Sequence, residues 1–463
     1  MDYQKDASVF ISKCLDSLGY SYKMVKFRQR IEEDCDRLMN QNDTFPHVRY
    51  TTGGKIEGTK TFYQFDFDFL YELKQIVCAE NLEQFKQSGP LTLFQLERGD
   101  TSPGYALVKL LSFSDNKHSD LIRKSLFRSE NGSMYLSSEL FINALEHSQK
   151  RRQQRDRYKT YERDGPSLPE SDDYIKCDKV TCIRCFNPDI QRFISRHRRH
   201  GFASRETLQQ LAHVACHIVP VGFRGSIHRY KEWRMSFSIA EQLLMRNLNE
   251  TQLKVYILLK VTAKSILKPL CEELTSYIMK NVLLWNCEMN GYEKYTQNTL
   301  LYRLIGCIRF LKECVSSNYL PSYIHPGKNL FADRLQLHER QRVVDILSEC
   351  LKEGGCFILR CYDLKVRMAS LLSCPERVQW ITVRRDELAK LVLLGQWIRQ
   401  AVLVHGMSRE EKYAFARQFG AYRAIESRID TLISVDEREL IQMGKTVEEI
   451  DEIRNRRLQE LLS

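Results

Sequence analysis

Between residues 65 and 70 the chain alternates aromatic and acid, Phe65-Asp66-Phe67-Asp68-Phe69-Leu70, and few local structures accommodate that pattern. Successive side chains of a strand point to opposite faces. A buried strand here therefore puts Asp66 and Asp68 on one face, toward a cleft, and Phe65, Phe67 and Phe69 on the other as anchors. Two carboxylates so close repel each other, and a divalent cation such as Mg²⁺, which also binds phosphate oxygens, relieves that repulsion. A short spacer upstream, Gly53-Gly54 opens a turn whose backbone N–H groups can approach a phosphate with no Cβ in the way. Singly, an acid pair on a strand and a glycine turn are ordinary features. Together they point to metal-assisted chemistry on a nucleoside triphosphate.

The combination of Gly53-Gly54, a spacer and acid-hydrophobic-acid-hydrophobic resembles the signature of polymerase-β-type nucleotidyltransferases. Within it, Gly54-Lys55-Ile56-Glu57-Gly58 resembles the Mab-twenty-one family, which includes the cyclic GMP-AMP synthase-like receptors. The superfamily turn is usually Gly-Ser; Gly54 replaces the serine, leaving a phosphate contact there to the backbone alone. The resemblance implies an α+β, bilobal nucleotidyltransferase fold, with a polymerase-β-like mixed sheet lobe and a helical lobe. Its expected divisions are a nucleotidyltransferase core with an N-terminal spine helix over 1–200, a helical lobe over 201–332 and a C-terminal helical extension over 333–463.

At 463 residues the chain is long enough for such a division, and its formal net charge of +11 favours an anionic partner. No apolar run is long enough to span a bilayer, and Met1-Asp2-Tyr3-Gln4-Lys5-Asp6 lacks the shape of a signal peptide, so a cytoplasmic protein without membrane contact is expected. Fifteen cysteines in that setting are reduced thiols rather than a disulfide framework, and the sequons at Asn42, Asn131 and Asn249 carry no meaning.

Residues 8–39 have a helical pattern in which Lys23, Lys26 and Arg30 fall on one face; the face is either solvated or, as the spine helix of the resembled family implies, tracks a nucleic-acid backbone. Residues 91–111 alternate around Gly99-Asp100-Thr101-Ser102-Pro103-Gly104, a hairpin signal. Residues 148–173, with Lys150-Arg151-Arg152, Arg155, Arg157, Gly165-Pro166 and Pro169, read as a mobile surface loop. Behind it a strand, Cys177-Asp178-Lys179-Val180-Thr181-Cys182-Ile183-Arg184-Cys185, resembles the Asp-x-Val-x-x-x-Arg-Cys segment of the family. That makes Asp178 the third carboxylate, as a base or metal ligand. Asp172 and Asp173 are weaker candidates, as loop charges. Cys182 and Cys185 have zinc-like spacing but no second pair, and their alternating positions favour packing. The run from Arg192 to His200 is the densest in basic residues; Arg196, Arg198 and Arg199 are either solvated at a helix end or phosphate contacts without sequence preference.

From Ser204, an N-cap followed by Leu208, Leu211 and Ala215, the chain reads as helical. Trp233-Arg234-Met235-Ser236-Phe237-Ser238-Ile239-Ala240-Glu241 could simply start a helix with Trp233 and Phe237 in the core. It also resembles the cyclic GMP-AMP synthase motif. The resemblance implies that Arg234 reaches a base or phosphate, that Ser236 and Ser238 bind nucleotide and that Glu241 lies nearby. Ser276-Tyr277-Ile278-Met279-Lys280 resembles the segment whose lysine contacts the triphosphate, which makes Lys280 a phosphate-binding candidate. Between Ser238 and Ser276 the vertebrate synthase carries a His-Cys-Cys-Cys zinc ribbon; here the interval holds Cys271 and no histidine, so no structural zinc thumb is expected. That departure points to the invertebrate receptors and to double-stranded RNA over DNA as activator, an RNA form read mainly by shape. Where the synthase stacks a tyrosine on a base, this chain offers Arg309 or Ile308, with Tyr302 two turns earlier. Ser322-Tyr323-Ile324-His325-Pro326 with Asn329-Leu330-Phe331 resembles the family's closing landmark. Beyond it residues 334–463 are helical, ending in the capping box Thr446-Val447-Glu448-Glu449 with Ile450, Ile453, Leu458 and Leu461 downstream; they pack on the helical lobe or bind a partner.

The resemblance implies that Asp66, Asp68 and Asp178 hold two Mg²⁺ or Mn²⁺ ions, and that ATP and GTP are joined into a cyclic dinucleotide, 2′,3′-cyclic GMP-AMP, when double-stranded nucleic acid binds. The product would act on a STING-type receptor in antiviral innate immunity. Two other classes stay open: a catalytically silent relative serving as a binding module, and an oligoadenylate-synthase-type enzyme making linear 2′-5′ products.

Overall fold

The computed structural model describes residues 2–462 except 42–44, 62–65, 82–90, 100, 154–158, 164, 172–175, 187, 199, 402–413, 435–439, 441–442, 444 and 446. Phe65, Asp100, Arg155, Arg157, Asp172, Asp173, Arg199 and Thr446 thus lie outside the described residues. The chain divides into two compact units. The first is Met1–Ser12, Phe45–Thr52 and Asp66–Val366; the second is Lys13–Thr44, Gly53–Phe65 and Arg367–Ser463. This division crosses the expected sequential boundaries, since the basic helix and the Gly53-Gly54 turn group with the C-terminal helices.

The first unit is a mixed α and β structure. Its described strands are β1 (His47–Thr52), β2 (Asp66–Ala79), β3 (Thr92–Glu97), β4 (Tyr105–Ser112), β5 (Leu126–Arg128), β6 (Met134–Leu136), β7 (Lys159–Thr160), β8 (Ser167–Ser171), β9 (Lys176–Phe186), β10 (Cys216–Val219) and β11 (Trp233–Ser236). β2 organises the sheet. It pairs antiparallel with β1 and parallel with β9, and its last four residues also pair parallel with β3. Antiparallel pairs then lead from β3 through β4, β11 and β10 back to β9, so the pairing path closes on β2. The double use of β2 depends on an irregularity between Glu72 and Val77, where Gln75 adopts a φ of 66° and the register against β9 shifts; such bulges bend a strand and re-aim the residues downstream of them.

The hairpin of β3 and β4 forms as its alternation predicts. The stretch expected as a mobile loop is instead partly regular: the helix Ser138–Gln153 runs into it, and β8 pairs with β9 along residues 176–180. Pro169 sits on β8 opposite Asp178, one strand from the sheet margin, where the missing N–H is tolerated. Charge at the exposed end of the helix hid it from a periodicity reading. Ser204 caps a helix as expected, accepting from the Thr207 N–H, but that helix, Arg205–Leu211, stops before Ala215. Farther on, Glu250–Thr262 is buried on nearly all sides, with a capping box between Asn249 and Gln252, and packs against Ser276–Asn290 and Leu300–Ser317, the latter also contacting Leu337–Glu353.

The second unit contains the helix Tyr22–Asn40. The single helix expected over 8–39 is broken before it at Asp16–Tyr20, where Gly19 takes a φ of 90°, and Ser21 re-caps the chain by accepting from the Met24 N–H. Met24, Ile31 and Cys35 form one apolar core with Leu388, Ala389, Leu393, Leu432 and Ile433, against which Ile453 and Leu458 also pack. The C-terminal helices Pro375–Ala401, Gly420–Ile433 and Val447–Leu462 therefore share a core with the basic helix.

Candidate active site

The parallel register of β2 against β9 places Asp68 directly opposite Asp178, and Asp66 opposite Lys176. Paired residues in a sheet share a face, and adjacent strands lie about 4.8 Å apart. Asp66, two residues before Asp68, shares that face. The three acids of the sequence reading are thus brought to one end of one sheet face. Asp66 and Asp178 are exposed and Asp68 is half-buried; the Ser167 hydroxyl donates to Asp178 Oδ1 at 3.1 Å. Phe67 and Phe69 project from the opposite face with their rings stacked 5.7 Å apart, and the Arg49 guanidinium lies 4.9 Å over Phe69. They are half-buried rather than the buried anchors expected, because the strand becomes a core strand only from Leu70 onward.

Beneath the acids, Leu70 packs with Cys182 and Val219 as an apolar floor, flanked by Tyr50, Val180 and Val221. One step farther, a fourth carboxylate appears that the sequence reading missed: buried Glu72, whose Oε2 lies 2.7 Å from Nε2 of fully buried His217 and accepts from the Tyr50 hydroxyl at 3.3 Å. Only the continued alternation of β2, Asp66, Asp68, Leu70, Glu72, carried a signal for it. Burial, with Glu72 next to it, raises the Tyr50 phenol well above its usual range, so Tyr50 stays a neutral donor.

The same face continues across the sheet. Arg184 of β9 opposes His217 of β10, which opposes Ser236 of β11; Val219 opposes Arg234, which opposes Tyr105 of β4. Arg234 and Ser236 are therefore placed by register on the face that carries the acids. Ser238 opens the next helix with its Oγ 2.9 Å from that of Ser236, while Trp233 and Phe237 are buried; the segment is both a strand-to-helix junction and a presentation of polar groups. Glu241, one turn into that helix, is buried and pairs with Lys280 at 3.3 Å, so the Lys280 ammonium is held by a carboxylate in this state. The Arg234 guanidinium forms no hydrogen bond or ion pair with a described residue.

Other candidates stand elsewhere. Gly53, with a φ of 64°, and Gly54 begin the short helix Gly53–Ile56 in the second unit, where the Gly54 carbonyl accepts from the Thr59 and Lys60 N–H groups. The rest of the motif is packed: Lys55, Ile56 and Glu57 are buried, and Arg28 donates to the Gly58 carbonyl at 2.8 Å. Gly58 has a φ of 68°, and a Cβ there would lie 2.5 Å from the Val25 carbonyl oxygen. In the same unit Lys23 and Arg30 are exposed and Lys26 is half-buried, its ammonium 5.1 Å from the Tyr22 ring. Arg309 is exposed and lines a cleft of about 660 Å³ with Lys312, Glu313 and Leu351; Ile308 is core, and Tyr302 is exposed beside Arg303.

The basic run corrects the phosphate reading for two of its members. Arg196 pairs with Glu288 at 2.6 Å, donates to the Tyr323 carbonyl and lies 4.7 Å over the Trp285 ring. Arg198, with 5% of its side chain exposed, sits 4.4 Å over Phe193 and 3.5 Å from Glu288. Both guanidinium groups are spent on aromatic packing and a shared carboxylate. Nearby, Asp189 is ringed by Arg98 at 3.0 Å and His325 at 3.2 Å; burial opposes its charge, but these donors overcome it and hold the carboxyl down at about 2.

Cys182 and Cys185 are buried, and burial pushes both thiols well above their usual range; Cys185 neighbours Cys78 and Cys216 across the sheet. They pack as apolar side chains. Among the described residues no three His, Cys, Asp or Glu side chains converge as a preformed metal site. The donor set of Asp66, Asp68 and Asp178 still fits a hard divalent cation, because all three offer carboxylate oxygens to one face and the Asp68–Asp178 pair is adjacent. None of the described helices is long and apolar enough to cross a membrane.

No curated protein matches the chain. Residues 244–349, which hold Lys280 and Arg309 but not the acids, match the family model described as the Mab-21 protein HhH/H2TH-like domain, and the match supports membership of the Mab-21 family, which is nucleotidyltransferase-like.

Proposed function

We propose that the chain is a nucleotidyltransferase that joins ATP and GTP into a cyclic dinucleotide, 2′,3′-cyclic GMP-AMP, in response to double-stranded nucleic acid, RNA over DNA. The observation that carries the reading is Asp68 opposite Asp178 on adjacent parallel strands, with Asp66 on the same face. Asp66, Asp68 and Asp178 would hold Mg²⁺ or Mn²⁺, which when bound would lower the cost of negative charge on the phosphate oxygens and the leaving pyrophosphate. In each transfer a ribose hydroxyl oxygen forms a bond to the α-phosphorus, the bond from that phosphorus to the β-phosphate oxygen breaks, and pyrophosphate departs. The hydroxyl proton would pass to a carboxylate of the set, and the exposure of Asp178 supports it in that role. Arg234 and Ser236 would supply donors to nucleotide from the same sheet face, and Ser238 from the start of the helix that follows. Activation would use Lys23, Lys26 and Arg30, and the product would signal through a STING-type receptor from the cytoplasm. A silent binding module is the second reading, favoured by the Lys280–Glu241 pair, which engages the phosphate-binding candidate internally. Incubating the chain with ATP, GTP and Mg²⁺ or Mn²⁺, with double-stranded RNA or DNA, separates the two. A phosphatase-resistant product that Asp68→Asn abolishes supports the enzyme; nucleic-acid binding without product supports the module; linear products identify the oligoadenylate-synthase type.

A further inference from the structure

Two cations on the sheet face stand without an anion. Arg234 and Lys328 are both half-buried, and neither side chain forms a hydrogen bond or ion pair with a described residue. No motif singles out Lys328, yet its placement is built. Its N–H donates to the His325 carbonyl, its carbonyl accepts from the Ser322 N–H, and Pro321 bridges to Asn329, so the backbone on both sides is fixed. Its stem runs through a slot at Gly104, where a Cβ would lie 2.7 Å from Lys328 Cδ, and its ammonium lies 5.0 Å over the Tyr105 ring. Gly104, with a φ of 87°, in turn accepts from the Met235 N–H next to Arg234.

The charges facing Lys328 are Arg234 from β11, Glu241 from the following helix and Arg334, with the Tyr105 phenol from β4. Glu241 already holds Lys280, and Arg334 is held by Glu273 at 3.1 Å. Positive charge is left in excess in a half-buried place, and an anion restores the balance. We propose that Lys328, guided by the Gly104 slot, binds a phosphate group of the nucleotide together with Arg234. The inference rests on the nucleotide-binding reading above and adds a residue to it. Burial, then Arg234 and Arg334, lower the Lys328 ammonium to about 7, with Glu241 opposing. Above that pH the free site has lost its proton, and a bound phosphate draws one back. Binding at pH 8 is thus coupled to proton uptake, and the Lys328-dependent share of affinity falls as pH rises above 7.

The test is calorimetric titration of the full chain with α,β-methylene ATP and GTP plus Mg²⁺ at pH 8, in two buffers of different ionisation enthalpy. The wild type should take up close to one more proton per nucleotide than Lys328→Met, and the variant should bind about tenfold to a hundredfold more weakly. Lys328→Arg should keep affinity and lose the uptake, since arginine stays charged. Equal uptake and affinity in wild type and Lys328→Met overturns the role of Lys328 while leaving the nucleotide site intact. No binding of either nucleotide by the folded wild type overturns the nucleotide reading and this inference with it.

Discussion

Asp68 and Asp178 occupy paired positions at the solvent-facing end of their strands, so their removal should cost chemistry and not fold. Asp68→Asn and Asp178→Asn are each expected to lower transferase activity on the order of a hundredfold or more, equivalent to several kcal/mol of lost charge stabilisation, with the melting temperature within a few degrees of wild type. Asp189 should behave in the opposite way. Its carboxyl is held at about 2, below the usual 3.8, so the stability it contributes is fully present above pH 4 and is lost as pH falls toward 2. That shift corresponds to about 2 kcal/mol. Asp189→Asn should therefore lower stability at pH 7 by about that amount, leaving Arg98 with Glu80 as its carboxylate partner, and should flatten the acid limb of a denaturation series. Strand alternation, a local property, put Asp66 and Asp68 on one face, and the resemblance of the segment around Asp178 to the family pointed to the third acid. The same alternation continues to Glu72 but says nothing of its partner His217, 145 residues away, nor of Lys328, which reaches Gly104 and Tyr105 from a distant segment.

At the scale of elements, two basic stretches that look alike in sequence differ in what they do with their charge. Arg196 and Arg198 lie on aromatic rings around Glu288, whereas Lys23 and Arg30 point outward from the helix Tyr22–Asn40. Glu288→Ala is expected to destabilise the fold by about 3 kcal/mol, read by denaturant unfolding, because it leaves buried arginine uncompensated. Lys23→Ala with Arg30→Ala should leave unfolding unchanged. If the outward face carries nucleic acid, the double substitution should lower the salt slope of RNA binding by roughly 0.9 for each phosphate that is no longer neutralised. Charge density alone could not separate the two stretches, since the aromatic partners Trp285 and Tyr323 come from distant segments. The glycine motif was legible in part. Gly58→Ala should destabilise the second unit by more than about 1 kcal/mol, because a Cβ meets the Val25 carbonyl and the backbone is left-handed there; the sequence marked the glycine but not the helix that packs over it.

For the whole molecule, the mixed α and β character and the Mab-21 match over residues 244–349 agree with the family resemblance of the motifs. The sequential division did not foresee that the C-terminal helices share a core with Tyr22–Asn40, because apolar positions in helices show that a face is covered and not by what. Whether this face of carboxylates transfers nucleotides can be decided in a single assay. Purified chain is incubated with labelled ATP and GTP, Mg²⁺ or Mn²⁺, and double-stranded RNA or DNA, beside the Asp66→Asn, Asp68→Asn double variant. The expected outcome is a phosphatase-resistant cyclic product that depends on nucleic acid and is absent from the variant. A folded wild-type protein that yields no product with either nucleic acid and either metal would refute the transferase.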